Sequence, residues 1–469
     1  MAFQPINRDT DYLLPPSVQD GLPEAHLARY VVDVVDVVEG LDLSVLVRAY
    51  TGRGSDAYHP ATLLSLLIYG YATGTFSSRK IERATYDSLA FRYIACNRHP
   101  DHDTLATFRK RLGPEFQSAF VQVLQVAREN PLSRFGTVSL DGTQIHANAS
   151  RHSALSYGHA EKIEAHLKAE VQERLVLAEA ADQSSVPDGV SLPDEIKRRE
   201  DRLAAIATAK AKIEERAKAR YEQEQAEHET KRAVRAKKPA KTGKKPGGKT
   251  PKPPEAGPRP DDPINRIDEE SRIMKVAGGG FDQCYNAQAL VDTESMRVLV
   301  AHVSQATNDK QQIAPMLGKI LANPEGLNQP HTLLADTGYF SEKNVETCVK
   351  NQVIPLIAVK RDEHYPDWRD RFTEPEALAE GASSVEVMRH ALNTKTGRAA
   401  YALRKQTVEP VFGIIKSVMG FRQFLLRGLE SVRHEWTLVC LAWNLKRMAV
   451  LRPQKEDRTE ALSLYGETT

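Results

Sequence analysis

From Pro60 the chain places Leu63, Leu64, Leu67, Ile68 and Tyr71 at steps of three and four, which predicts a helix with one apolar stripe. Gly74 stops it, and "SSRKIERATYDSLAFRYIA" opens a second helix capped by Ser77 or Ser78. A third is predicted over "DHDTLATFRKRL", with Asp103 or Thr104 as cap and Phe108 and Leu112 turned inward. Residues 1–130 therefore read as an all-helical N-terminal domain. Short helices with Arg and Lys on their outer faces suit a helix-turn-helix module; a helical bundle with solvated charges has the same pattern.

From Ser133 the period drops to two. "GTVSLDG", "CYNAQALVD" (Cys284 to Asp292), "MRVLVAHVS", "HTLLADTGY" and "VIPLIAVK" are predicted strands, with Asp141 closing the first and Asp336 the fourth. A helix over "NDKQQIAPMLGKIL" separates the third strand from the fourth, and Ser341 caps another, "SEKNVETCVKNQ", before the fifth. Three strands, a helix, a strand, a helix and a strand describe an α/β layer.

A long insertion, residues 156–262, interrupts that layer. Ile163, Leu167, Val171 and Leu175 recur every four residues, and "DQSSVPDGVSLP" breaks the run. Ser191 and Asp194 form a capping-box signature, after which Ile196, Leu203, Ile206, Ile213 and Ala217 mark a second helix. An antiparallel hairpin is predicted, with a thin seam on which Lys210 falls. The following "KKPAKTGKKPGGKTPKPPEAGPRP" has too little apolar surface to fold alone and reads as a flexible tether.

Charge sharpens this picture. Between Lys231 and Pro260, eleven Lys and Arg stand against the single Glu255, a charge of +10 in a chain whose net charge is only +2. So dense a basic stretch points to a polyanionic partner. No run of eighteen apolar residues and no secretory signal is visible, so a cytoplasmic protein without a membrane span is expected. Cys96, Cys284, Cys348 and Cys440 form no C-x-x-C pair, which suits a reducing compartment and argues against a structural zinc site; a metal would be held by oxygen.

Carboxylates at strand ends point into the crevice where α/β sheets bind ligands. If the first and fourth strands are neighbours, Asp141 and Asp336 can share hard divalent cations such as Mg²⁺. Either residue alone is more simply a turn or cap. Glu409 sits in an apolar context before Pro410, at a predicted helix start or kink, with Lys416 two turns further on.

"DGTQIHANAS", "YNAQALVD", "LLADTGYFS" and "QTVEPVFGIIKSVMGFRQFLLRGLESVRHEWTLVCLAWNLKRM" resemble the catalytic segments of DDE-type transposases from bacterial insertion sequences. "HPATLLSLLIYGYATGTFSSRKIERA" resembles their N-terminal helical domain. The resemblance implies an RNase H-like α/β catalytic domain over residues 131–455, a mixed sheet flanked by helices, with residues 456–469 as a tail. It makes Asp141, Asp336 and Glu409 the catalytic, metal-binding triad for Mg²⁺, with Mn²⁺ as substitute. Tyr401, Arg404, Glu409 and Lys416 match in type a signature of many relatives, although four residues separate Arg404 from Glu409 where three are usual.

The function so implied is cleavage of phosphodiester bonds at element ends and joining of the 3′-hydroxyl to target DNA by two-metal catalysis. Double-stranded DNA is the expected partner, and a homodimer the expected synaptic assembly. DNA contacts are expected from Lys416, Arg404, Tyr401 and Asn286 near the triad and from Arg79, Lys80, Arg109 and Arg111 on the helices. For Asn286 and Gln288 an exposed polar strand face is the simpler expectation, and for Trp436 and Trp443 core packing. His146 and His152 follow Asp141 closely enough to raise a His-assisted metal site as a minor reading. A metal-dependent nuclease and a non-catalytic DNA-binding derivative are the rival functions.

Overall fold

The computed structural model describes residues 17–36, 44, 47, 57–111, 113–128, 136–181, 192–242, 252–322, 329–359 and 373–452. It has two compact units, one of Met1–Ala147 with Cys284–Thr469 and one of Asn148–Gln283.

In the first unit the N-terminal segment forms helices α1 (Leu27–Asp36), α2 (Pro60–Ala72), α3 (Ser78–Asp87), α4 (Leu89–Ile94), α5 (His102–Arg111) and α6 (Gly113–Arg128). α2 starts at the expected proline, behind His59, whose ring accepts from the Ala61 N–H at 3.3 Å. It shows no single stripe: every residue but Thr62 is buried, as befits a helix surrounded by others. α5 is capped by Asp101, which accepts from the Thr104 N–H at 2.7 Å, so neither Asp103 nor Thr104 is the cap. Leu112 lies outside the described residues.

The sheet of this unit comprises β1 (Thr137–His146), β5 (Phe281–Asp292), β6 (Val298–Ser304), β7 (Thr332–Ala335) and β8 (Ile354–Ile357). Its order is β6-β5-β1-β7-β8. β5 is antiparallel to β1 and β6, whereas β7 is parallel to β1 and β8. A mixed sheet of three antiparallel strands followed by two parallel ones, flanked by helices, is the RNase H-like arrangement. α9 (Ile313–Leu321) and α10 (Glu342–Lys350) make the crossovers between β6, β7 and β8. α9 starts at Ile313, so "NDKQQ" is a turn and not the first turn of that helix.

α11 (Ser384–Asn393) and α12 (Lys395–Gly413) follow, and α12 runs through Pro410 into a π turn, Ile414–Val418. Pro410 is thus inside a helix, not at its start; the ladder disturbed by its missing N–H is followed at once by wider hydrogen bonding, with the Met419 N–H on the Ile414 carbonyl at 2.8 Å. The last helix, α13 (Leu429–Leu451), is continuously buried from Glu435 to Leu445 and packs against β6, α2 and α6. Trp436 and Trp443 lie in this core, their indole N–H groups donating to the carbonyls of Gln288 and Met296. The helical segment and the sheet therefore share one hydrophobic core.

The second unit holds β2 (Ala154–Ser156) paired antiparallel with β3 (Pro263–Asn265), and the expected hairpin of α7 (Tyr157–Ala181) and α8 (Leu192–Thr242). Leu167, Ile206, Ala209 and Ile213 form its seam. Lys210 is accommodated there by Glu164, at 2.8 Å, and by the ring of Tyr157. Leu175 and Val176 are exposed, so the seam does not reach the hairpin tip. The tether expected from Lys237 begins later, because α8 continues to Thr242. Residues 243–251 of it lie outside the described residues. Its distal end is anchored: Arg220 grips both Asp262 oxygens at 2.8 Å and the Gly257 carbonyl at 3.0 Å. β4 (Arg272–Lys275) then turns through Gly278, Gly279 and Gly280, all at positive φ, into the start of β5.

Candidate active site

β1 and β7 are parallel neighbours whose pairing ends at Ser139 opposite Leu334. Two residues further along each chain stand Asp141 and Asp336, so the register itself sets the two carboxylates side by side. Asp336 lies just past the end of β7, as expected. Asp141 does not close its strand: β1 continues to His146 against β5, and Asp141 lies mid-strand, beyond the end of its shorter neighbour.

Each carboxylate is oriented locally. Asp141 Oδ1 accepts from the Gly142 N–H and Asp336 Oδ1 from the Gly338 N–H, both at 2.8 Å. Burial lifts the Asp141 carboxyl to about 7; Asp336 and Asp309 push the same way, while the Gly142 N–H and Arg404 oppose them. α12 brings the third carboxylate. Arg404, 9% exposed, places Nη2 3.0 Å from Glu409 Oε1 and Nη1 3.4 Å from Asp141 Oδ2. The guanidinium thus bridges Asp141 and Glu409, and the Arg404 Nε is buried without a hydrogen-bond partner.

The other expected site residues divide. The Tyr401 hydroxyl donates to the Ala335 carbonyl at 3.3 Å, bracing β7 beside Asp336. Lys416, half-buried in the π turn, donates to Gln144 O at 3.0 Å and to the Thr143 hydroxyl, both on β1; burial pulls its pKa down. Asn286 and Gln288 are fully buried, so the exposed polar strand face expected for them is absent. They face Gly142 of β1 and bind Asp309, a carboxylate that sequence reasoning missed. The signal available for it was two amides at i and i+2 on a strand that is otherwise buried.

Arg79, Lys80 and Arg111 are exposed on α3 and α5. Arg109 is not: it is buried, donating to the Tyr71 hydroxyl at 3.2 Å and the Phe76 carbonyl at 3.0 Å, and so cannot reach DNA from there. That pocket also holds Glu435, fully buried, which accepts from Tyr71 at 2.7 Å and from the N–H groups of Leu425 and Leu426. His146 is an odd step from Asp141, hence on the opposite strand face, and its backbone pairs with Arg422 and Phe424. His152 belongs to the second unit.

Among the described residues no three His, Cys, Asp or Glu side chains converge closely enough to hold a metal ion as arranged here. The donor set nevertheless fits a hard cation. It consists of carboxylates alone, burial raises the pKa of one of them to about 7, and a guanidinium already bridges two of them.

The chain matches the family described as Transposase DDE domain over residues 249–445, and the Transposase domain (DUF772) over residues 16–111. Asp336 and Glu409 fall inside the first match, whereas Asp141 precedes it. No curated protein and no solved structure matches the chain. Among the described residues no helix is long and apolar enough to cross a membrane. Both matched regions are transposase domains and the sheet has the RNase H-like strand order, with β1 ahead of the first match and β5 to β8 inside it, so the chain is a DDE-type transposase.

Proposed function

We propose that this transposase binds the ends of its element, cleaves phosphodiester bonds there and joins the freed 3′-hydroxyl to target DNA, using Asp141, Asp336 and Glu409 with Mg²⁺, or Mn²⁺ in its place. The observation that carries this reading is the β1–β7 register, which sets Asp141 beside Asp336, together with Arg404 linking Asp141 to Glu409. A divalent cation bound by these carboxylates would supply Lewis-acid polarisation of the phosphate and a lowered pKa for the attacking hydroxyl.

The chain's own residues do the positioning. Arg404 offsets part of the charge of Asp141 and Glu409. Lys416 has two of its ammonium protons engaged on β1, and its third can meet a phosphate oxygen. Tyr401 fixes the strand end that carries Asp336. Arg79 and Lys80, exposed on the first turn of α3, suit DNA phosphates because helix N-termini favour anions, and Arg111, exposed at the end of α5, adds a further cation. Joining two ends calls for at least two protomers, a homodimer in the synaptic complex, acting on DNA in the cytoplasm.

A strand-transfer assay on DNA carrying the element's ends tests the reading: joined products support it. Cuts without joining would make the protein a nuclease, and retardation alone a non-catalytic DNA-binding derivative.

A further inference from the structure

A fourth carboxylate faces the same crevice. Asp309 lies in the turn between β6 and α9, and its Oδ1 accepts two amide hydrogen bonds, from Asn286 Nδ2 at 2.8 Å and from Gln288 Nε2 at 2.7 Å. Gln288 Oε1 in turn accepts from the Tyr339 hydroxyl at 2.5 Å, which ties this clamp to the turn that follows Asp336. The second oxygen of Asp309 lies on the Asp336 side. A Cβ built on Gly338 would stand 3.8 Å from Asp309 Oδ2 and 3.0 Å from Asp336 Oδ1. Toward β1, a Cβ built on Gly142 would stand 2.8 Å from Asp309 Oδ1.

The clamp does not need a charge. An asparagine at this position could accept the same two amide bonds, since its carbonyl oxygen has two lone pairs. A negative charge beside Asp141 and Asp336 is unfavourable until a cation joins them. The crevice already draws positive charge: Arg404, nine-tenths buried, sets its guanidinium against Asp141 and Glu409. A ligating carboxylate is itself usually held by hydrogen bonds from behind, as Asp309 is here.

We propose that Asp309 is a further oxygen donor for the divalent cation of this centre, held in place through Oδ1 by the amides of Asn286 and Gln288. The proposal rests on the metal-dependent reading above.

The test is Mn²⁺ binding by the full-length protein, measured by calorimetric titration and by the melting-temperature rise on adding the ion. Asp309→Asn keeps the clamp and removes the charge; Asp309→Ser is a second variant should the first fail to fold, and Asp336→Asn is the reference. The expected result is a loss of Mn²⁺ affinity of about 10-fold or more in the Asp309 variant, with a metal-free melting temperature equal to or above that of the wild type. Wild-type affinity in the Asp309 variant alongside weakened binding in Asp336→Asn overturns the proposal and leaves the metal-dependent reading standing. A wild-type protein that binds no Mn²⁺ overturns both.

Discussion

Because burial lifts the Asp141 carboxyl to about 7, the folded chain keeps a proton between about pH 4 and 7 that the unfolded chain releases. The stability tied to that proton is complete below the unfolded value and is lost as pH rises through about 7. Asp141→Asn, which cannot ionise, should therefore gain on the wild type as pH rises. The gain has a ceiling of about 4 kcal/mol, from three pKa units of about 1.36 each. Urea unfolding in EDTA at pH 5 and pH 8 checks this; an equal difference at both would contradict it. Arg404→Ala should have the opposite sign, destabilising the metal-free protein by about 1–3 kcal/mol by leaving two carboxylates unrelieved, with part of the loss restored by Mg²⁺. Thermal melts with and without the ion read it, and an ion-independent loss would make Arg404 a packing residue only. Asp141 and Asp336 stand out locally as polar residues after apolar runs, but alone each reads as a turn or cap, and only the resemblance joins them. Asp309 and Arg109 do not stand out. Asp309 sits before a helix, as ordinary cap residues do, and Arg109 is removed from the surface by Tyr71, on another helix.

At the scale of elements, the site depends on β1 outrunning β7. The alternation in "GTVSLDG" shows where β1 begins, but its continuation through "TQIH" is sustained by pairing with β5, a partner that lies beyond the insertion. Of the helix start and the kink that Pro410 suggested, the start is ruled out for a related reason: packing of α12 on β1 outweighs the missing N–H. Gly142 is the point where the strands admit the Asp309 clamp, since a side chain there would collide with Gln288 Nε2 and crowd Asp309 Oδ1. Gly142→Ala should destabilise the fold by about 1–3 kcal/mol, the usual cost of overpacking, and should impair cleavage more than end binding. Chemical denaturation with a parallel DNA-binding titration measures both, and an unaltered stability would show that the clamp yields freely.

For the whole molecule, the helical start, the α/β layer and the inserted hairpin were all legible as changes of period. The single core shared by the N-terminal helices and the sheet was not, because Tyr71, Arg109 and Glu435 are far apart in the chain and each reads locally as a surface or helix residue. The +10 stretch from Lys231 to Pro260 was legible from composition, and its charge is expected to act on DNA. Replacing its lysines with glutamine should lower the salt slope of DNA binding by a few units, at roughly 0.9 for each phosphate no longer neutralised. An unchanged slope would move the DNA-binding charge to Arg79, Lys80 and Arg111. The central claim, that Asp141, Asp336 and Glu409 form one catalytic centre, is tested most directly by measuring end cleavage and end binding in the same reaction for Asp141→Asn, Asp336→Asn and Glu409→Gln. Each variant should bind the ends nearly as well as the wild type and make no detectable cut in Mg²⁺. Wild-type cleavage by any one of them would contradict the account for that residue.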